Sequence, residues 1–137
     1  MTSTNRFVLT VLLAASAACR AEGPRVRVVI AEPADGAQLV GPRVRVLLQA
    51  GGIEITPASD ERPGTGHHHL FLDREATAPG DTISQGVPGI IHLGRAQTEF
   101  TLEGLAPGRH RVIAVLANWA HVALDPPAVD TVRFTVR

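Results

Sequence analysis

From Pro24 onward the chain sustains no helical period, and short alternating runs are cut by Gly, Pro or Asp, which restricts the fold to strands. Val44, Val46 and Leu48 recur at every second position, as do Val132, Phe134 and Val136. That period places apolar side chains on one face of an extended chain. Turn signals separate the runs: Pro33-Ala34-Asp35-Gly36, Gly51-Gly52, Pro63-Gly64, Pro79-Gly80-Asp81, Ala106-Pro107-Gly108 and Asp125-Pro126-Pro127. The pattern predicts strands at Arg25–Ala31, Arg43–Ala50, His67–Asp73, Gly89–Leu93, Thr98–Glu103, Arg109–Ala117 and Ala128–Val136. Seven short strands in about 115 residues point to an all-β, immunoglobulin-like antiparallel sandwich. With four phenylalanines and one tryptophan, its core must be mostly Val, Leu, Ile and Ala.

The 137 residues suit one domain preceded by a leader. Arg6 supplies a positive start, Phe7 to Ala15 form an apolar run, and Ser16-Ala17-Ala18 precede Cys19. The run is too short to span a bilayer and fits a secretory signal over residues 1–18. A linker, 19–24, then leads into a domain over 25–137. Cys19 is the only cysteine, so an internal disulfide is excluded. Its place after small residues resembles a bacterial lipobox, with Ser16 where leucine is usual. The expectation is an exported protein of the periplasm or cell envelope, lipidated at Cys19 and tethered to the membrane. Ordinary cleavage near Ala17 or Ala18 is the competing reading.

All thirteen basic residues are arginines, balanced by thirteen acids and scattered at strand positions such as Arg25/Arg27, Arg43/Arg45 and Arg109/Arg111. No basic patch with interleaved aromatics appears, so nucleic acid is not an expected partner.

His67-His68-His69 hold half of the six histidines. In a strand, His67 and His69 share one face, while His68 points to the other with Leu70 and Leu72. If the seven strands alternate in direction, His67 and His69 open the third strand at the end where His92 closes the fourth. His121 lies in a connection at that same end, and His110 starts the sixth strand at the opposite one. Three or four neutral imidazoles suit zinc or copper. The expected metal ligands are therefore His67, His69, His92 and His121. Asp73 and Asp125 are candidate orienting carboxylates, Asp125 being the better placed. The competing reading has histidines bracing loops through backbone carbonyls or lining a solvated face. His68 is expected to brace from the inner face, and His110 to tie down a corner. Arg95 and Gln97 could meet an anion, although a hydrogen-bonded turn explains them as well.

Two function classes follow. One is a non-enzymatic domain binding copper or zinc at the histidine cluster; the other is a structural or interaction module recognising a protein or cell-envelope polymer. No serine–histidine–acid set can be placed, and no paired carboxylates lie near the cluster, so an enzyme is not expected.

Gly66-His67-His68-His69-Leu70-Phe71-Leu72-Asp73 resembles the Gly-His-His-His-Leu-Leu-Ile-Asp signature of the DUF4399 family, a bacterial exported domain of unknown function. Ile91-His92-Leu93-Gly94, Gln97-Thr98-Glu99, Leu105 with Pro107-Gly108 and His110, and His121 with Asp125-Pro126-Pro127 continue the resemblance in order, from about Val28 to Val136. The family's last block resembles His-x-Pro-His-Asp-Pro-Pro; here Ala123 and Leu124 stand for its proline and second histidine. The resemblance implies a shared domain and supplies no mechanism. Glu32 through Val44 and Leu105 through Val112 also resemble parts of bacterial Ig-like modules, the former as a first hairpin.

Overall fold

A computed structural model describes residues 23–137. The expected signal segment, Cys19 and most of the linker lie outside the described residues. Nine strands follow in order: β1 (Arg27–Glu32), β2 (Ala37–Leu39), β3 (Val44–Gly51), β4 (Glu54–Ile55), β5 (Thr65–Leu72), β6 (Ile90–Leu93), β7 (Glu99–Leu102), β8 (Gly108–Ala117) and β9 (Val129–Val136). Seven correspond to the expected strands. β2 and β4, three and two residues long, are too short to show any period.

The strands form two sheets. One is β1-β3-β7, and the other runs β2-β9-β8-β5, with β4 and β6 both on the free edge of β5. The main pairings are antiparallel, whereas β2 runs parallel to β9 and β4 parallel to β5. The architecture is an immunoglobulin-like sandwich. β1 and β3 do pair antiparallel, but the expected first hairpin is not a simple one. Its connection detours through β2, which joins the opposite sheet.

Alternation builds the core. Val28, Ile30, Val44, Val46 and Leu48 of the first sheet pack with Leu70, Val112, Ala114, Leu116, Val132, Phe134 and Val136 of the second. The second sheet is also covered on its outer face, where Phe71, Ile113, Val115 and Ala117 pack with Ile83 and Ala123. The cover comes from the β5–β6 connection and from the turn after β8. These are tied together by Ile83 N–H to His121 O (2.8 Å), Gly80 N–H to Ala123 O (2.9 Å) and Ala123 N–H to Asp81 O (3.0 Å). β5 is consequently buried from Thr65 through Phe71. Antiparallel sheets commonly leave one face wet, and here β5 and the second half of β8, from Val112 to Ala117, have none.

At the far end of β5, Asp73 accepts from the Arg111 amide through Oδ1 (2.7 Å) and meets His110 Nδ1 through Oδ2 (2.7 Å). His110 Nε2 lies 2.8 Å from Ala106 O, and the ring stacks on Phe134. His110 therefore ties down the corner before β8, as expected, and Asp73 belongs to this corner. With an acceptor at each nitrogen, the Ala106 carbonyl and then the Asp73 carboxylate raise the pKa above the usual histidine value, against the opposing effect of burial. The sign follows from linkage: a raised folded-state pKa contributes stability present in full below the unfolded value, about 6.5, and lost as pH rises through the folded value. His110→Phe should thus cost on the order of 1 kcal/mol more at pH 6 than at pH 8.5, read from urea midpoints. A pH-independent difference would show that the ring acts by packing alone.

Candidate metal centre

The histidine triplet is presented by close strand packing. A Cβ at Gly66 would lie 2.7 Å from Ala117 O and 2.9 Å from Ile53 Cδ1, so only glycine lets β8 and the β4 side approach there. The register then sets His67 opposite Ala117, and His69 between Val115 on β8 and His92 on β6. His68 turns inward, and its Nδ1 lies 3.2 Å from Gln97 O, bracing the β6–β7 turn. In that turn Gln97 Oε1 accepts from the Arg95 amide (2.7 Å), which gives both residues a structural task.

His92 enters the cluster because it is the cross-strand partner of His69. Gly94 permits this, since a Cβ at that position would collide with the His92 imidazole. His121 comes from the turn after β8. There Asn118 Oδ1 accepts from the amides of Ala120 and Val122 (both 3.0 Å), and Ile83 holds the His121 carbonyl from the covering segment. His121 itself has φ 61°, a left-handed conformation uncommon outside glycine. Strain of this kind persists where the surroundings impose it.

The four rings meet as a solid figure. Their six centroid separations are 4.8, 5.0, 5.1, 5.1, 5.7 and 4.8 Å. Four points with nearly equal separations form a tetrahedron; a square would need two diagonals about 1.4 times its edges, a distinction that matters for metal choice. A tetrahedron of this size has its centre about 3.1 Å from each ring centre. A metal–nitrogen bond of about 2.0–2.1 Å plus about 1.1 Å to the ring centre gives nearly the same length. One nitrogen from each ring lies within 4.8 Å of the others. His92 Nε2 and His121 Nε2 are 3.2 Å apart, close to the edge of about 3.3 Å expected for tetrahedral zinc.

Burial sharpens the chemistry. His67 and His69 are fully inaccessible, His121 is half-buried, and His92 is exposed. Among the described residues, neither ring nitrogen of His67 has a hydrogen-bond partner, nor does Nδ1 of His69. Burial, reinforced by the neighbouring imidazoles, lowers the pKa of His67 to about 4 and of His69 to about 3. Burial and then His121 lower that of His92. Rings held neutral keep a lone pair for a metal at neutral pH.

The profile of the family described as "Domain of unknown function (DUF4399)" matches residues 46–137. The chain belongs to this family. No curated protein matches the chain. The DUF4399 match runs from β3 to the C-terminus and contains all four histidines.

Asp125 is exposed, and no hydrogen bond joins it to any of the four rings. Leu124, at the place of the family's second histidine, packs against the main core. Gln85, absent from the sequence-based candidates, lies 3.5 Å from His69 Nε2 through its amide, which also donates to Ile83 O (3.1 Å). Nothing in its local sequence distinguishes it. A surface groove lined by Arg109, Arg111 and Arg133 is elsewhere and touches none of the four histidines.

Gly94→Ala should push the His92 ring out of the cluster while leaving the β5–β6 register intact. Supporting groups of this kind change metal affinity by about 10–100-fold, so affinity should fall within that range with little change in the thermal midpoint of the metal-free domain. Unchanged affinity would show that His92 is not held by this contact.

Proposed function

We propose that this DUF4399 domain is an exported, non-enzymatic binding module that holds one copper or zinc ion through His67, His69, His92 and His121. The observation that carries the reading is the buried His67 ring, both of whose nitrogens lack a partner among the described residues, inside a tetrahedron of imidazoles. A buried polar group without a partner costs about 1–3 kcal/mol, which a coordinate bond to a metal would offset. Sequestration or delivery suits the site better than catalysis. Four side chains fill a tetrahedron, whereas catalytic zinc keeps one position for water or substrate. The competing interaction module draws support from the loop-bracing roles of His68 and His110, but the other four rings turn toward one another.

The untagged domain without its leader should bind one equivalent of zinc. At free metal of about 100 times Kd, mass action adds about 2.7 kcal/mol of stability, seen as a higher thermal midpoint. His67→Ala/His69→Ala should abolish both uptake and stabilisation. A wild-type domain that takes up no metal at micromolar concentration would leave the interaction module as the better account.

Export and tethering complete the reading. A single acyl chain gives only marginal membrane binding, so a lipidated Cys19 would carry more than one chain. Cys19→Ser should move the protein from the membrane fraction to the soluble envelope fraction; continued membrane residence would contradict acylation.

A further inference from the structure

The donor set says more than that a metal fits. All four candidate ligands are uncharged in their metal-binding form, and among the described residues no carboxylate hydrogen-bonds any of the four rings. Asp73 is engaged by His110 and Arg111 at the other end of β5, and Asp125 is exposed. The β8 neighbours of the inner pair are Ala117 and Val115, both buried and apolar. A divalent ion would keep its whole charge in this setting. The cost of removing an ion from water grows as the square of its charge, so one unit of positive charge fewer relieves about three-quarters of it.

Geometry acts in the same direction. Cu(II) prefers square-planar or tetragonal ligands. Flattening the observed tetrahedron would require two ring separations to lengthen by about 1.4-fold relative to the others. His67 and His69 are fixed two residues apart on a buried strand. His92 is fixed by its pairing with His69 and by Gly94, and His121 by the Asn118 turn and the Ile83 amide. Each constraint belongs to a different element, so no single rotation flattens the set.

We propose that the centre stabilises copper as Cu(I) against Cu(II), with Zn(II) as the competitor of matching geometry. The proposal rests on the four-histidine metal reading. One electron from an external reductant such as ascorbate converts Cu(II) to the bound Cu(I), and no protein group is oxidised.

The test uses the untagged domain. Cu(I) affinity is measured by competition with bicinchoninate under ascorbate, and Cu(II) affinity by competition with glycine in air. The expected result is Cu(I) binding at least 100-fold tighter, equivalent to a midpoint potential about 120 mV above the free-ion couple. Gly94→Ala, which frees the His92 ring, should shrink that ratio. Zinc uptake with Cu(II) bound as tightly as Cu(I) would overturn this proposal alone. Failure to take up either zinc or Cu(I) would overturn it together with the four-histidine centre.

Discussion

Burial of β5 on both faces is the constraint on which the site depends. The inner face belongs to the sandwich core, and the outer face to the smaller cluster in which Ile83 packs against Phe71, Ile113, Val115 and Ala117. Ile83 is fully buried, and its backbone amide holds the His121 carbonyl. One residue of the covering segment thus joins the hydrophobic seal to the fourth ring. Without that seal, His67 and His69 would face water and keep ordinary histidine protonation. With it, they are neutral, dry and aimed at a common centre.

Such an arrangement opposes folding. Buried ring nitrogens without partners, a left-handed histidine and rings close enough to repel when protonated each cost free energy, and nothing in the sandwich needs them. Natural sequences break local rules of this kind at functional sites and compensate elsewhere. Here the compensation is visible in the two apolar cores and in the corner where His110, Asp73 and the Arg111 amide tie β5 to β8. The two kinds of histidine are chemically opposite. His110, between two acceptors, is favoured as a cation, whereas His67 and His69 are favoured as neutral rings.

Much of this was legible in the residues. Period-two apolar runs and turn signals located seven strands, and strand alternation separated His68 from His67 and His69. Strand order also gathered His92 and His121 and set His110 apart. The outer apolar layer was not foreseen, because its contributors, such as Ile83, sit in an irregular segment without a period. A signal did exist in Val112 to Ala117, a continuous apolar run of the kind that marks a strand buried on both faces. Without that layer, a solvated pair of histidines was an equal reading. β2 and β4 escaped through shortness, and Gln85 through its place in a loop. The expectation for Asp125 came from its neighbourhood in sequence to His121, while the turn between them leaves its side chain in solvent.

X-ray absorption at the zinc edge of the one-to-one zinc complex tests the central claim most directly. Four imidazole nitrogens at about 2.0–2.1 Å, with the multiple-scattering signature of histidine, are the predicted first shell. A first shell that includes water or carboxylate oxygens, or fewer than four imidazoles, would contradict the tetrahedral four-histidine centre.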